Sequence, residues 1–458
     1  MAASNSSDCG YCRKSRSGQS SKRYSYYANG YSLSPAFYQA LIDKCWRRSG
    51  TLLYRPNQKR ACCPHYTLRL DSTQCRPSRD QRQAVNRFNR FILGEDYTKK
   101  AARLYPLSRD QARKRDSTFD LVDRIHEAEV EALPAALQPA HNFQVTLESD
   151  NFTQEKFDVF ENYQRVVHGE DASSISKKGF QRFLCDSPVR PGVHTNSSGR
   201  QIKVGSYHQC YRLDGKLVAV GVLDLLPHAV SAVYFMYHES IHRHQPGKLG
   251  ALREIALAME GGYQFWYPGY YIHSCPKMRY KIDYSPQYVL DPETLDWDLL
   301  DNQALAIFDS KSYVSLSGER TRSEEAQGNA NACLQNVHAE NNKEQISEHT
   351  VMKAAGEGGN EDQDDSDDNG AEDSVFASDM PGILSLSAME SMDLDHIRVL
   401  ADHSEGFFET GETVIWTTDS IRDLGSLKSK IAELVATVGY ELTEQIVLDF
   451  RRDSRQSA

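Results

Sequence analysis

The stretch over residues 207–272 leaves this chain few folds to choose from. Residues 207–213 read as a strand, Asp214-Gly215 is a strong two-residue hairpin signal, and 217–226 is a Val- and Leu-rich run that pairs back antiparallel. After Pro227 a third strand is expected over 230–237. Leu249, Leu252, Ala256 and Met259 then recur at helical spacing within 247–260, and Gly261-Gly262 stop that helix. A last apolar stretch over 263–272 is expected to be the next strand.

Strand, hairpin, strand, strand, helix, strand is the order at the centre of an α/β fold of the acetyltransferase-like (GNAT) class, in which the helix N-terminus faces an acyl donor. The surrounding chain divides by composition. Residues 1–135 form a basic N-terminal domain, 150–309 the GNAT-like catalytic domain, 310–375 an acidic insertion, and 376–458 a C-terminal helical segment docking on the catalytic fold. Helices are expected over 117–133 and 153–167, where Phe119, Val122 and Ile125, then Phe157, Phe160, Gln164 and Val167, line up. The insertion is Ser-, Glu-, Asn-, Gly- and Asp-rich and reads as disordered, consistent with a mean hydropathy of −0.61 for the chain. Two amphipathic patterns return within 419–450, around Ile431, Leu434 and Val435, then Ile446, Val447 and Leu448.

Charge is segregated. Residues 1–115 hold 24 Lys and Arg against 7 Asp and Glu, while 357–373 hold nine acidic residues and no basic one, so the formal net charge of −10 is largely a tail effect. A polycation of this density favours a polyanion partner, most often nucleic acid. Arg79, Arg82, Asn86 and Arg90 follow one helical stripe and Val85, Phe88 and Ile92 another, so one face packs and the other meets phosphates. The longest apolar run, 217–226, is too short to span a membrane and contains Asp224. The first ten residues carry no secretory pattern, so the expected setting is reducing and cytoplasmic, with the nucleus also open.

The cysteines are therefore read as thiols or ligands. Cys9 and Cys12 form a Cys-x-x-Cys pair, and Cys62 and Cys63 an adjacent pair some fifty residues later. Together they can close a tetrahedral zinc site or hold an iron-sulfur cluster. Neighbouring side chains converge only where a turn bends the backbone, which Pro64 favours. Cys45 and Cys75 are substitutes, whereas Cys185, Cys210 and Cys275 read as core. Cys63-Pro64 and Cys275-Pro276 are dipeptides of a kind linked to regulatory haem, too short to carry that assignment. Tyr267, Tyr270, Tyr271, His273, Lys277, Arg279, Tyr280 and Lys281 crowd one segment with polar heads that a core strand alone does not need.

With these residues in place the chain resembles the arginyltransferases, the N-degron enzymes that move arginine from arginyl-tRNA to a protein N-terminus. The motifs are Cys9-Gly-Tyr-Cys12, Cys62-Cys63-Pro-His-Tyr-Thr67, Gly179-Phe180, Phe183-Leu-Cys-Asp-Ser-Pro188, Tyr211-Arg-Leu-Asp-Gly-Lys216, Gly269-Tyr-Tyr-Ile-His-Ser-Cys-Pro-Lys-Met278 and Tyr280-Lys281. Where relatives commonly have Tyr-Asp-Pro-Asp, this chain has Tyr237-His-Glu-Ser240, and the segment from His242 to Gly247 also departs from the usual pattern. The resemblance implies a metal or iron-sulfur site at Cys9, Cys12, Cys62 and Cys63, arginyl-tRNA as co-substrate and acceptors with N-terminal Asp, Glu or oxidised Cys, with neither DNA nor a membrane as partner.

An aminoacyl ester is already activated, so positioning a neutral amine is most of the task. Lys277, Arg279 and Lys281 are candidate cations for the acidic acceptor. Asp224, Glu239 and Glu254 are candidate anions for the donor arginine, Glu254 lying opposite the apolar stripe of its helix as a solvated residue would. Tyr271 and His273 can polarise the ester or relay a proton, and Arg79, Arg82 and Arg90 fit the tRNA backbone. Two rivals stand beside this reading. A coenzyme A-dependent acetyltransferase is disfavoured because Gln245-Pro-Gly-Lys-Leu-Gly250 spaces its glycines widely and Pro246 lacks an N–H. A non-catalytic RNA-binding protein with the same fold is opposed only by the cluster over 267–281.

Overall fold

The computed structural model describes residues 3–9, 11–12, 22–325, 374–402 and 406–451. The first 65 residues build a small four-stranded antiparallel sheet in the order β1 (Ala3–Asp8), β2 (Lys22–Asn29), β4 (Leu52–Pro56), β3 (Arg47–Ser49), with α1 (Pro35–Ile42) between β2 and β3. The chain then enters the main sheet at once, as β5 (Tyr66–Asp71), before making α2 (Arg79–Leu104), α3 (Arg109–Ser117) and α4 (Leu121–His126). Ser78 and Gln81 form a capping box at the start of α2, and Gly94, at φ 76°, kinks it. The helix expected over 117–133 is cut to α4 plus a short 3₁₀ turn, because Asp120 caps it late and the chain bends beyond His126.

β6 (Phe143–Ser149) leads to α5 (Gln154–Tyr163), capped by Thr153, and α6 (Lys177–Phe180). Then come β7 (Gly192–Thr195), β8 (Gln201–Leu213), β9 (Lys216–Leu226), β10 (Ala229–Tyr237) and α7 (Pro246–Gly261). The hairpin, third strand and helix fall where the sequence places them, and Asp214 and Gly215 both take positive φ as a type I′ turn requires. The strand expected over 263–272 is broken in two, β11 (Phe265–Tyr267) and β12 (Tyr270–Tyr271), by Gly269 at φ 83°. α8 (Pro276–Arg279), β13 (Gln287–Leu290), β14 (Trp297–Leu299) and α9 (Asn302–Ser310) complete this part.

The main sheet runs β14-β13-β5-β11-β10-β9-β8-β6, with β12 also on β5 and β7 on β8, and every pair is antiparallel except β10 with β11. Leu223 and Leu225 of β9 face α7, meeting Leu252 and Ile255, while Val220 and Val222 face Phe157 and Phe160 of α5. Burial on both faces explains why β9, apart from Lys216 and Asp224, is apolar instead of alternating. Each such side chain contributes about 1.5–3 kcal/mol.

Three boundaries move. The expected domain end at 135 is crossed by the sheet, since β5 sits between β11 and β13. Residues 310–325, expected in the insertion, are packed: Val314 and Leu316 are buried and a helix runs over 316–325. Residues 326–373, the rest of that insertion, lie outside the described residues. The C-terminal segment is only partly helical. Residues 446–448, expected as helix, fall at and within the strand Val447–Asp449, which pairs parallel with Arg398–Leu400, while the helix Leu427–Val438 docks toward the small N-terminal sheet, where Trp46 Nε1 donates to Thr437 O at 3.0 Å.

Candidate active site and thiol cluster

The parallel pair β10–β11 holds for only three residues, from Ala229 opposite Phe265 to Ser231 opposite Tyr267. Beyond that the strands part. β10 continues along β9 through an irregularity between Ala232 and Tyr234, while Gly269 turns the other chain away so that Tyr270 and Tyr271 pair with Thr67 and Tyr66 of β5. The gap is lined from below by α7 and closed from behind by Lys281, whose Nζ donates to Tyr270 O at 2.5 Å. A Cβ on Gly269 would stand 3.5 Å from that Nζ.

Glu254 of α7 enters the gap. Sequence periodicity gave it a solvated face, but α7 is covered by the sheet on one side and by α2 and α4 on the other, and Glu254 is 3% exposed. Its Oε2 accepts from Trp266 Nε1 at 2.9 Å. Burial pushes the carboxyl up to about 7, moderated by that hydrogen bond and by the charge of Lys281. Burial, with Arg47 adding to it and Glu254 opposing it, lowers Lys281 to about 7. Lys281 is therefore a buried wall residue, not an exposed cation.

Near Glu254 lies a cluster of tyrosines, joined to it through Tyr280. Tyr234 and Tyr237 project from β10, Tyr163 closes α5, and the Tyr163 ring lies 4.9 Å from Tyr237 and 6.1 Å from Tyr234. At Gln164–His168 the helix widens into a π-turn, a feature frequent at functional sites, and it delivers Gln164 Oε1 and His168 Nε2 to the Tyr234 hydroxyl at 3.0 and 3.3 Å. Burial lowers His168, and the charge of Lys277 lowers it further, which puts Lys277 near this cluster. Tyr280 is 48% exposed as a whole, but its hydroxyl is desolvated, and this with the nearby Glu254 and Tyr163 raises it to about 12. Glu239 is held at the edge by Asn162, which receives its backbone N–H at 2.9 Å and donates to its Oε1 at 3.2 Å.

Lys281 thus faces Glu254, while Glu239 bonds Asn162 next to Tyr163 and Lys277 acts on His168. Tyr280 belongs to the polar heads expected over 267–281, whereas Tyr163, His168 and Tyr234 carry no such expectation. The available signal was the change along α5 from Phe157 and Phe160 to Tyr163, a core stripe that acquires a polar head as it leaves the core.

Tyr271, His273 and Arg279 lie on the other side of α8. Tyr271 Oη and His273 Nδ1 are 2.6 Å apart, His273 Nε2 is 2.8 Å from Asp309 Oδ1 on α9, and Arg279 is 3.8 Å from the same oxygen. Burial raises Tyr271 to about 12, so it is a neutral phenol in this chain of hydrogen bonds. Asp309 carried no sequence signal. Asp224 joins neither group. It is fully buried in β9, where Arg48 Nε and Nη2 bind its two oxygens at 2.8 and 2.7 Å and Ser206 Oγ donates at 2.5 Å, so its charge is already matched and the expected donor-binding role does not fit. On α2, Arg79, Arg82 and Arg90 are exposed while Val85 and Ile92 are buried, and Lys248 at the start of α7 pairs with Asp80.

Cys9, Cys12, Cys62 and Cys63 place their sulfurs within 4.8 Å of one another, with Cys12 and Cys62 at 3.4 Å. Four thiolates at 2.3 Å from one ion would have edges of about 3.8 Å, so the donor set fits a thiophilic metal. Burial and the neighbouring thiols push Cys62 and Cys63 up, so gathering four thiolates here calls for a cation. Cys45 and Cys75 are outside the group. Cys275, expected as ordinary core, packs against it with Ile272 and Met278, and Ser274 Oγ donates to Cys63 Sγ at 3.5 Å. The thiol group therefore abuts the segment that carries His273 and Lys277. Among the described residues no helix is long and apolar enough to cross a membrane.

Residues 7–83 match the family model described as arginine-tRNA-protein transferase, N terminus, and residues 155–291 the one described as its C terminus. Arginyl-tRNA--protein transferase 1 of Saccharomyces cerevisiae is 32% identical over 271 residues, covering 56% of this chain and 49%, about half, of that relative. Arginyl-tRNA--protein transferase 2 of Arabidopsis thaliana is 25% identical over 485 residues, covering 70% and 79%. An aspartate/glutamate leucyltransferase of Pseudomonas fluorescens is 28% identical over 252 residues, covering 54% and 77%.

Proposed function

We propose that the chain, two stretches of which match the arginine-tRNA-protein transferase models, moves the arginyl group of arginyl-tRNA onto the α-amino group of proteins beginning with Asp, Glu or oxidised Cys, marking them for ubiquitin-dependent degradation. The observation that carries the reading is the parting of β10 and β11 beside a buried carboxylate, with a tyrosine cluster and Lys277 nearby.

The arrangement is an acetyltransferase-like one adapted to an aminoacyl ester. α7 begins with Gln245 in a left-handed conformation and Pro246, without a side-chain cap, which leaves a poor cradle for a pyrophosphate and disfavours coenzyme A. Glu254, with Glu239 at the edge, takes the guanidinium of the donor, a cation able to hold the buried carboxyl in its ionised form. Lys277, as a point charge, reads a carboxylate or a sulfonate alike, which suits acidic and oxidised acceptors; Arg279, two residues on and so on the opposite side of α8, faces Asp309 instead. The bacterial relative named for aspartate and glutamate supports acidic acceptors.

In the reaction the neutral amine attacks the ester carbonyl carbon, the new C–N bond forms, the ester C–O bond breaks, and the ribose oxygen leaves with the proton the amine gives up. The reference α-amino pKa of about 7.7–8.0 means little general-base power is needed. Tyr271 and His273, across α8 from the donor carboxylates, do not reach the ester to polarise it but are proposed to relay that proton, and their bond to Asp309 supports a path toward solvent. Arg79, Arg82 and Arg90 neutralise the tRNA acceptor end. Cys9, Cys12, Cys62 and Cys63 would hold zinc or an iron-sulfur cluster, which when bound would clamp the N-terminal turn against residues 272–278.

The test is transfer of labelled arginine from charged tRNA to peptides differing only in an N-terminal Asp or Ala. Transfer to Asp alone is expected. Transfer to neither, with intact tRNA binding, would replace this reading with that of an RNA-binding protein.

A further inference from the structure

Beyond Tyr97 the second half of α2 leaves the body of the protein. From Thr98 to Arg115 no side chain is buried, and among its described side chains α3 has no buried residue, although it is a well-capped helix with a Ser108–Gln111 capping box. A nine-residue helix without a packed face has only its caps to stabilise it, and helices this short are marginal alone. At the turn between α2 and α3 stand Leu104, Tyr105 and Leu107, 57%, 52% and 54% exposed. Around them Lys100, Arg103, Arg109, Arg113 and Lys114 are exposed and make no ion pair among the described residues, whereas Lys99 and Arg115 do, with Glu95 and Glu127.

Cations without partners around an aromatic and aliphatic tip are what RNA loops require: phosphates to neutralise and unstacked bases to receive. α2 also fixes where on an RNA this arm falls. Its first turns are anchored at α7 by the Lys248–Asp80 pair and carry the Arg79–Arg82 stripe. The tip is some two dozen residues further on, a path of about 36 Å at about 1.5 Å per residue, bent at Gly94. We infer that the arm over 98–115 is a grip for the looped body of the tRNA, distinct from the contacts that hold its acceptor end: Lys100, Arg103, Arg109, Arg113 and Lys114 meet phosphates and Tyr105 stacks on an exposed base. The inference rests on the transfer reading.

The test compares two donors, full-length arginyl-tRNA and an arginylated minihelix carrying the acceptor stem alone. Wild-type protein is expected to favour the tRNA. Replacing the five cations by alanine should raise KM for tRNA at least tenfold with kcat and minihelix kinetics unchanged, and reduce the salt dependence of tRNA binding by a slope of about 4. Tyr105→Ala should raise the tRNA KM alone, with no change in the salt slope, and both variants should keep the wild-type circular dichroism. A wild type that does not distinguish the donors overturns the grip while sparing the transfer reading. So does a five-site variant equally impaired on both. Unchanged tRNA kinetics together with lost binding to anionic vesicles or to acceptor proteins overturns it in favour of those partners. Absence of transfer from either donor by wild type overturns both readings.

Discussion

Replacing Asp224 by alanine should unfold this protein more readily without touching its chemistry directly. Arg48 on β3 and Asp224 on β9 form a two-pronged ion pair, 4% and 0% exposed, that ties the small N-terminal sheet to the centre of the main one. Removing the carboxylate strands a buried guanidinium whose Nη1 already lacks a partner. Breaking one side of a buried pair costs about 3–5 kcal/mol. At about 2–4 °C per kcal/mol, as for domains of 150–250 residues, that is a fall in Tm of roughly 6–20 °C. Replacing both residues with apolar ones, Arg48→Met with Asp224→Leu, should lose less than the two single changes added together, by about 1–3 kcal/mol. Calorimetry of the four proteins closes the cycle. A Tm for Asp224→Ala within about 2 °C of wild type, accompanied by lost arginine transfer, would refute the reasoning and restore Asp224 as a ligand carboxylate.

His126 of α4 lies between Glu129 and Glu260, which raise it to about 9. Its stabilising contribution is complete below the unfolded value near 6.5 and is lost as pH rises through about 9, so urea midpoints should decline over that window in wild type and less so in His126→Gln. Glu254→Gln should raise KM for arginyl-tRNA at neutral pH; if the ionised carboxylate binds the donor, wild-type kcat/KM falls as pH drops through about 7 and the variant's does not. Metal analysis of purified variants should find Cys12→Ser and Cys62→Ser depleted and Cys275→Ser loaded, since Cys275 touches the thiol group without belonging to it; equal loading of all three would remove Cys12 and Cys62 from the ligand set.

What could be read from residues alone follows the range of the interactions. The β8–β9 hairpin, β10 and α7 are written in local turn chemistry and periodicity, and the thiol group in its spacing. β5 was hidden because its partners, β11 and β13, lie some two hundred residues away, and nothing in Tyr66–Asp71 names them. Asp224 looked available because Arg48, its partner, is 176 residues distant. Glu254 looked solvated because a helical wheel assumes one wet face, and α7 has none. The tyrosine cluster assembles from α5, β10 and the turn after α8, so no single stretch announced it.

The insertion of β5 between β11 and β13 also orders the protein's synthesis. When the ribosome has made the first 135 residues, β5 has no neighbour, and its partners emerge only after residues 265–267 and 287–290. Contacts of such sequence separation form slowly, and an unpaired strand left waiting is exposed to wrong partners. Until residues 272–278 arrive, the four thiols too lack the wall they pack against. The nascent chain therefore emerges with an open edge and reactive sulfurs, and its yield in cells should depend on the chaperones and the metal supply that meet it at the exit tunnel.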